Sequence, residues 1–447
     1  MRYISEDSFF TSNHTIHKSF APGRLDVMGG IADYSGSLLL QMPIKATTRV
    51  SLQSNDQDYL EIYSKNQVRP GTNPLVTISL PDLWESVLPM SLGLFKNMRE
   101  AQWASYVAGA WIVLSKAKGI KPGGARIWIE TDVPIAKGVS SSASLEVAVL
   151  LAMRSWQNLK FDHPYELALL AQQIENEVVG APCGLMDQLA VCFGKQGMLS
   201  PITCQPYLVE SSIPVPEGMY FAGIDSGVRH DVGGHSYGEV RAAAFMGYSI
   251  LAQMEGTSAE KIRTQFDRGD RENLPFGGYL ANLSLDDFET KYKDRLPDMI
   301  TGLTYLQQYG ESIDPQTTID PDKNYSVRNC TSHPIYENAR VNRFKSVIEN
   351  IDSHNDQMDF ELLGNLMYES HWSYSNCGLG HEKTDQLVRM SMQRDRYPGI
   401  YGAKITGGGS GGTVCFLLRG EEGVSAAKLL KTDFERMVGY PVGIVNL

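Results

Sequence analysis

A run of small polar residues ahead of a helix is the first feature of the sequence that could carry out chemistry. The segment VPIAKGVSSSASLE, at 133–146, places a glycine and three serines before a helical stretch: Gly138, Ser140, Ser141 and Ser142. Backbone N–H groups at a helix N-terminus are unpaired and lie at the positive end of the helix dipole, so they can cradle a polyphosphate. The alternative is that Ser140 only caps the helix. The order of residues is not that of a Walker A loop.

Two further segments are rich in glycine and other small residues. TGGGSGG, at 406–412, lies between two apolar runs. It is either a tight turn between strands, which needs positive φ, or a place where the backbone approaches a ligand. APGRLDVMGGIADYSG, at 21–36, contains Arg24 and Asp33 among small residues. A lone arginine at such a position is ordinarily a surface salt-bridge partner, so its function depends on what the fold places beside it.

Strands and helices that would position these segments can be read from the pattern of apolar residues. Branched and apolar residues predict strands at 38–50 and 125–130. An apolar stretch predicts a buried helix over 141–157, and a second helix is predicted over 165–179, ended by Gly180. Residues 255–335 are polar and predict loops and short helices, whereas 336–350 and 357–376 are again typical of helices. Because strands and helices mix without strict alternation, the predicted class is α+β.

Length and composition limit the possible classes of function. A chain of 447 residues predicts two or three domains. The net charge of −11 argues against nucleic acid as a partner, and the longest apolar stretch is too short for a membrane span. Six scattered cysteines form no zinc or redox motif and fit a reducing compartment, so we expect a cytoplasmic protein without a secretory signal.

Taken in their order along the chain, 21–36, 133–146 and 406–412, the three segments resemble the three motifs of the GHMP kinases. The first motif, at 21–36, matches the galactokinase branch best. The resemblance runs from about residue 19 to about residue 419 and includes GAPCGLMDQ at 180–188 and DSGVRHDVGGHSYGEVR at 225–241. It implies a two-domain fold with ATP and a sugar bound in the cleft between the domains. The implied boundary divides the chain into an N-terminal domain, 1–205, and a C-terminal domain, 206–447.

The resemblance also implies a role for each matching residue. Asp187 corresponds to the catalytic aspartate and Arg24 to the arginine beside it. Two residues are implied as Mg²⁺ ligands, namely Ser142 and Glu175. The ATP-binding positions are Gly138, Ser140, Ser141, Ser142, Trp103, Gly408 and Gly409. The sugar-binding positions are Asp33, Gly30, Ile31, Gly184 and Tyr237. The sequence supports Glu175 independently, because an acid in the last turn of a helix is disfavoured by the dipole and such exceptions often mark function.

One departure from the galactokinase pattern bears on the substrate. Galactokinases carry Glu-His where this chain has Gly30 and Ile31, and those two groups hold the hydroxyl on the sixth carbon of galactose. Glycine and isoleucine have no side-chain hydrogen-bonding groups. L-Arabinose has the same ring configuration as galactose without the sixth carbon, and the GGIADYSG form with NCGLG at 376–380 is similar to plant-type L-arabinokinases. Exchanging Gly30→Glu with Ile31→His is then expected to move the preference towards galactose.

The leading hypothesis is an ATP-dependent kinase that phosphorylates the anomeric hydroxyl of L-arabinose. The nearest alternative is a galactokinase or another GHMP kinase that acts on a monosaccharide. An alternative of a different class is a sugar-responsive regulator without catalytic activity. The serine-rich loop and the presence of Arg24, Glu175 and Asp187 argue against the regulator.

Overall fold

The computed structural model describes residues 5–67, 73–85, 99–181, 183–228, 235–351 and 357–447. The chain divides into two compact units that interleave along the sequence. Unit 1 consists of 1–24, 43–135 and 140–193, and unit 2 consists of 25–42, 136–139 and 194–447. The boundary predicted after residue 205 is a single division of the chain, and it stays a prediction, as does the placement of the ligands between two domains.

Unit 1 is a sheet with most of its helices against one face. Its strands are β1 (Ile16–Met28, which ends in unit 2), β2 (Leu38–Ser54, which begins in unit 2), β3 (Tyr59–Ser64), β4 (Leu75–Ser79) and β5 (Ala125–Thr131). Its helices are α1 (Glu6–Phe9), α2 (Leu80–Glu85), α3 (Ser105–Lys118), α4 (Ser141–Trp156), α5 (Glu166–Gln173) and α6 (Met186–Phe193). A π-helical turn, Ile174–Val179, continues α5, and 3₁₀ turns lie at Lys65–Gln67 and Arg99–Ala104.

The alternation of side chains along the strands explains the packing of unit 1. β5 pairs with β2 in antiparallel and with β3 in parallel orientation, while β3 pairs with β4 in antiparallel orientation. Ile127 and Ile129 of β5 enter the main core with Trp111 of α3 and Val147 of α4. Trp128, between the two isoleucines, packs in a second cluster instead, because successive side chains of a strand lie on opposite faces of the sheet.

Unit 2 contains the remaining strands and most of the long helices. Its strands are β6 (Met198–Cys204), β7 (Tyr207–Val209), β8 (Ile213–Pro214), β9 (Met219–Asp225), β10 (Ile300–Thr301), β11 (Asn324–Tyr325), β12 (Ile400–Ile405), β13 (Thr413–Arg419) and β14 (Ile444–Val445). Its helices are α7 (His235–Met254), α8 (Ala259–Arg268), α9 (Leu285–Asp287), α10 (Gly302–Tyr309), α11 (Val327–Asn350), α12 (Gln357–Asn376), α13 (Glu382–Ser391) and α14 (Gly420–Val438). Short 3₁₀ or π turns lie at Gly30–Ser35, Pro275–Gly278, Leu280–Asn282, Phe288–Tyr292 and Lys293–Arg295.

The main sheet of unit 2 has the strand order β12-β13-β9-β14, with antiparallel pairing throughout. β13 is buried along almost its whole length, because it pairs with β12 on one side and β9 on the other. The start of β2 pairs with β6, and β6 pairs with β7. The predicted α+β class is confirmed. Within the described residues, no helix is long and apolar enough to cross a membrane.

Several predicted elements have the expected bounds. The helix predicted over 141–157 is α4, and the strand predicted over 125–130 is β5. The helix predicted over 165–179 is α5 with its π turn, and Gly180 ends it in the left-handed conformation. The segment 255–326 contains short helices and loops, as its polar composition indicates, but 327–335 belong to α11, which begins nine residues before the predicted start at 336.

Candidate active site

The loop before α4 has strained backbone and an unpartnered hydroxyl. Ser140 adopts φ 60° and ψ 47°, in the left-handed region, and its side chain does not cap the helix. Its Oγ is buried and has no hydrogen-bond partner among the described residues. The interpretation of Ser140 as a simple cap is therefore wrong. A non-glycine residue in this conformation costs about 1–2 kcal/mol, and such strain with an unsatisfied hydroxyl is typical of a ligand site.

Arg24 and Asp187 lie in direct contact within unit 1, as the resemblance implied. Arg24 donates from Nε and from Nη2 to Oδ1 of Asp187, at 3.0 and 2.6 Å. Arg24 is buried, with 2% of its side chain exposed, whereas 27% of the Asp187 side chain remains exposed. Asp187 is in the first turn of α6, where the helix dipole favours an acid. The ion pair orients a carboxylate that solvent or a small substrate can still reach.

A buried acidic cluster surrounds Glu175. Gln188 donates from Nε2 to Oε2 of Glu175 at 3.1 Å and to Oε2 of Glu146 at 3.4 Å. Both glutamates are buried. Oε1 of Glu146 and Oε1 of Gln188 have no hydrogen-bond partner among the described residues. Ser142 contacts Glu175 through a side-chain hydrogen bond, so the implied pair of metal ligands is brought together.

The electrostatics of this cluster follow from burial and like charge. Burial and then the negative charge of Asp187 raise the pKa of Glu175 to about 7. Hydrogen bonds from Ser142 and other neighbours act in the opposite direction without cancelling the shift. Burial and then the charge of Glu175 raise the pKa of Glu146 well above its usual range. A cation beside these two carboxyl groups would favour their ionised forms, which burial and like charge otherwise disfavour.

The residues present fit the expected Mg²⁺. Among residues 5–67, 73–85 and the other described ranges, no group of three or more His, Cys, Asp or Glu side chains is arranged to hold a metal. Mg²⁺ does not require such a cage, since it usually keeps several waters and uses one or two carboxylates with phosphate oxygens. The Glu175 carboxylate, the Ser142 hydroxyl and the unpartnered oxygen of Glu146 are the hard oxygen donors that this ion prefers.

A local distortion of the helix places Glu175. α5 widens into the π turn at Ile174, and the carbonyl of Glu175 accepts from the N–H groups of Gly180 and Ala181 at 2.9 and 3.0 Å. Isolated π turns inside helices are frequently found at functional sites. The sequence placed Glu175 near the end of a helix, but the π turn was not predicted, because the hydrophobic pattern does not distinguish it from a regular α-helix.

Four implied sugar-binding residues lie in unit 2. Gly30, Ile31 and Asp33 belong to a 3₁₀ turn that is buried throughout. Tyr237, at the start of α7, is half-buried, and its ring centroid lies 6.4 Å from that of Tyr34. Ile31 is 2% exposed and belongs to the core of unit 2. Their contacts with a sugar stay predictions.

Two implied ligand contacts lie in unit 1. Gly184 is half-buried in the loop before α6. Trp103 lies in the 3₁₀ turn before α3 and packs against the core of unit 1. Its indole Nε1 is buried without a hydrogen-bond partner among the described residues. Packing against the core accounts for an aromatic ring at this position, but the unpaired N–H is a polar group that a ligand could satisfy. Both contacts stay predictions.

The Gly-rich segment is a turn between β12 and β13. Positive φ occurs at Gly407 (74°), Gly409 (82°), Ser410 (60°), Gly411 (123°) and Gly412 (78°). A Cβ on Gly409 would lie 2.8 Å from both Cβ and the carbonyl oxygen of Leu379. The turn therefore needs glycine for its own geometry, which is the structural alternative considered above. The contact of Gly408 and Gly409 with ATP stays a prediction.

Several residues that support these segments were missed by the sequence analysis. Glu146 and Gln188 complete the acidic cluster, and the signal for Glu146 is an acid inside an otherwise apolar helix. In unit 2, Lys404 donates from Nζ to Oδ2 of Asp26 at 2.7 Å, and both side chains are fully buried. A charged residue in the apolar strand IYGAKI was its signal.

Comparisons with known proteins find matches for two regions of this chain and for its fold. The sequence profile of the GHMP kinases N terminal domain matches residues 105–195, and that of the GHMP kinases C terminal region matches residues 347–430. A solved structure of galactokinase from Lactococcus lactis in complex with galactose has a TM-score of 0.74 and 21% identity, over 99% of this chain and 96% of that one. The chain therefore has the GHMP kinase fold, and residues 105–195 and 347–430 are similar to the N terminal and C terminal parts of the GHMP kinases.

Two relatives whose sequences align with most of this chain are sugar kinases. L-Arabinokinase from Arabidopsis thaliana is 38% identical over 92% of this chain, which spans only 43% of the length of that protein. Galactokinase from Pyrococcus furiosus is 27% identical over 89% of this chain and 88% of its own length. The predicted resemblance to the galactokinase branch, with L-arabinokinase as the more similar of these two, is confirmed.

Proposed function

We propose that this chain is an ATP-dependent sugar 1-kinase whose preferred substrate is L-arabinose. The observation that carries the proposal is the Arg24–Asp187 ion pair beside the buried Glu175 cluster in unit 1. Phosphoryl transfer needs a positioned hydroxyl nucleophile and compensation for the charge on the moving group. This arrangement offers an exposed carboxylate for the hydroxyl and a cluster of oxygen donors for a cation.

Each residue then has a distinct task. Asp187 accepts the proton of the anomeric hydroxyl or orients it, provided the hydroxyl lies within hydrogen-bond reach. Arg24 fixes the Asp187 carboxylate through its two hydrogen bonds to Oδ1. Ser142 and Glu175 would hold Mg²⁺, which would neutralise charge on the phosphates of ATP. Ser140, with its unpartnered Oγ, and the neighbouring backbone of Gly138 and Ser141 bind the phosphates.

The other implied contacts complete the two ligand sites. Trp103, Gly408 and Gly409 are assigned to ATP. Asp33, Tyr237 and Gly184 are assigned to the sugar, with Gly30 and Ile31 next to the position of a sixth carbon. L-Arabinose is preferred over galactose because neither Gly30 nor Ile31 can hydrogen-bond a sixth-carbon hydroxyl through its side chain. The 38% identity to an L-arabinokinase supports this choice.

The second candidate is a galactokinase, which the 27% identity over most of both chains supports. A galactose bound here would bury one hydroxyl without a partner, at about 1–3 kcal/mol. We therefore expect kcat/KM to favour L-arabinose over D-galactose by about 10- to 100-fold. Discrimination against an added group is usually limited, so some activity with galactose is expected.

A panel of free monosaccharides with ATP and Mg²⁺ tests the proposal. ADP release gives kcat/KM for each sugar, and NMR of the product locates the phosphate. Phosphate on any hydroxyl other than the anomeric one contradicts the proposed chemistry. Galactose used as well as arabinose makes the chain a galactokinase. Binding of sugar without phosphorylation would indicate the regulator.

The six cysteines are all free thiols in the structure, which supports a reducing compartment such as the cytoplasm.

A further inference from the structure

Three consecutive amides of the turn that contains Gly30 are each held by a buried side chain of unit 2. The N–H of Gly29 donates to Oε1 of Glu337 at 3.1 Å. The N–H of Gly30 donates to Oδ1 of Asp26, also at 3.1 Å. The N–H of Ile31 donates to the hydroxyl of Tyr374 at 2.8 Å. The turn is therefore fixed by one group close to it in the sequence, Asp26, and by two that are more than 300 positions away, Glu337 and Tyr374.

The Tyr374 hydroxyl also links this turn to the Gly-rich turn. It donates to the carbonyl oxygen of Gly407 at 3.1 Å while it accepts from Ile31. A tyrosine hydroxyl has one hydrogen to donate, so these two bonds satisfy it in both directions. The side chain is fully buried, with 0% exposure. One oxygen atom thus joins two of the segments that the sequence singled out for function.

The same hydroxyl lies where a side chain of residue 30 would begin. A Cβ added to Gly30 would be 1.3 Å from Oη of Tyr374, 2.6 Å from its Cζ and 2.8 Å from Oδ2 of Asp26. Gly30 also has φ +44°, a conformation that L-residues rarely adopt. Any side chain at position 30 must therefore displace Tyr374.

The tyrosine ring has little room to move away. It makes a T-shaped contact with the ring of His333, with the centroids 5.2 Å apart. The ammonium group of Lys404 lies 5.2 Å from the centroid of the tyrosine ring. A Cβ on Gly409 would lie 3.4 Å from its Cδ1, which shows how closely the Gly-rich turn packs on it. Close-packed interiors do not absorb an added methyl group without strain.

We propose that Tyr374 is the positioning residue that determines sugar specificity at this turn, by occupying the place of a residue-30 side chain and locking the turn to Gly407. This inference rests on the proposed function, which assigns Gly30 and Ile31 to the sugar. It also predicts that Gly30→Glu with Ile31→His moves the preference towards galactose only when Tyr374 is replaced as well.

The first experiment is a cycle of thermal unfolding, which does not depend on activity. Its variants are Gly30→Asn, Tyr374→Leu and the double variant; asparagine is chosen because it tolerates the left-handed region. We expect Gly30→Asn alone to lower Tm by about 5 °C or more. In the Tyr374→Leu background, the same substitution should lower Tm by less than half as much. Equal costs in the two backgrounds would overturn the proposal.

Tyr305 provides a matched control for the loss of a buried ring. It belongs to the same core as Tyr374, is also 0% exposed and lies on α10. Tyr305→Leu should loosen the core to a comparable extent and leave the full cost of Gly30→Asn. If Tyr305→Leu relieves that cost as well as Tyr374→Leu does, general loosening explains the result and the proposal fails.

The second experiment measures kcat/KM for L-arabinose and D-galactose. Relative to Tyr374→Leu alone, the double variant should shift the ratio towards galactose by at least 10-fold, because the asparagine amide can hydrogen-bond the added hydroxyl. Tyr374→Phe should raise KM for the sugar several-fold with little change in kcat, and should still reject Gly30→Asn, since Cζ remains in place. An unchanged ratio in the double variant overturns the specificity role. If the wild type phosphorylates no sugar, the proposed function fails together with that role, and the unfolding cycle still decides whether Tyr374 excludes a side chain.

Discussion

Arg24 directs two donors, Nε and Nη2, at the same oxygen of Asp187, at 3.0 and 2.6 Å, although 163 positions separate the two residues in the sequence. The guanidinium group is almost fully buried, while the carboxylate is partly exposed. A buried cation can hold a carboxylate in one orientation without covering it, because only one of its two oxygens is engaged by the guanidinium. This geometry suits a carboxylate that has to meet a substrate hydroxyl.

Replacing Asp187→Asn should reduce kcat by about 10²–10⁴-fold, the usual contribution of a positioned general base. The amide keeps the size of the side chain but accepts a proton poorly. The affinity for ATP should change little, since Asp187 is assigned to the sugar hydroxyl. Steady-state kinetics with calorimetric titration of ATP measure both quantities.

The matched control for this substitution is Asp162→Asn, another acid of unit 1, which is exposed and paired with Lys118 at 2.9 Å. It should leave kcat unchanged. The catalytic assignment is wrong if Asp187→Asn retains most of its kcat, or if the two substitutions have equal effects.

The raised pKa of Glu175 should make the folded protein less stable as the pH rises. Its pKa is about 7 in the folded protein and near 4.5 when exposed, so the folded state binds the proton more tightly. The stabilisation is fully present below about pH 4.5 and is lost as the pH rises through about 7. Without ATP or Mg²⁺, we expect the wild type to lose about 1–3 kcal/mol more than Glu175→Gln between pH 5 and pH 8.

Denaturant unfolding across this pH range measures the difference. The control is Glu177→Gln, in the same π turn, whose carboxylate is paired with Lys116 at 2.8 Å and is partly exposed. Its pH dependence should follow that of the wild type. Parallel curves for the wild type and Glu175→Gln would contradict the buried, proton-binding state of Glu175.

Ser140 should be important for ATP binding and unimportant for helix stability. Its Oγ neither caps α4 nor bonds to another described group, so Ser140→Ala should change Tm little. If Oγ donates to a phosphate, its loss removes a hydrogen bond to a charged group. KM for ATP should then rise by about 10-fold, which corresponds to about 1.5 kcal/mol.

Ser144 in the same helix gives the opposite expectation. Its hydroxyl is fully buried and lies 2.8 Å from both the carbonyl oxygen of Ala21 and Oγ1 of Thr48. Ser144→Ala should lower stability by about 1–2 kcal/mol and leave KM for ATP unchanged. A drop in Tm for Ser140→Ala without any change in KM would refute the role in phosphate binding.

The buried pair of Lys404 and Asp26 makes unit 2 sensitive to loss of one charge. Lys404→Met should lower the free energy of unfolding by about 3–5 kcal/mol, because it leaves the Asp26 carboxylate buried and uncompensated. Adding Asp26→Asn should recover part of that loss. The control is Lys431→Met, which breaks a partly exposed i,i+4 pair with Glu435 and should cost less than about 0.5 kcal/mol. A cost below about 1 kcal/mol for Lys404→Met would show that the pair is not needed.

Much of the local structure was determined by the sequence alone. The bounds of α4 and β5 follow from runs of apolar and branched residues, and the end of the second predicted helix follows from Gly180. These features depend on backbone preferences and on periodicity over a few residues, which a single sequence displays. The class of enzyme was predicted from the resemblance of the three motifs, in their order along the chain, to those of the GHMP kinases.

Only the tertiary structure decided which distant groups meet. Tyr374 lies 343 positions from Ile31, and Lys404 lies 378 positions from Asp26, yet each pair is in contact. Nothing in the spacing of residues indicated that a tyrosine hydroxyl fills the place beside Gly30, or that Glu146 and Gln188 complete the cluster around Glu175. Burial and like charge act through distance in space, so the raised pKa of Glu175 and the steric exclusion at Gly30 exist only once the chain has folded.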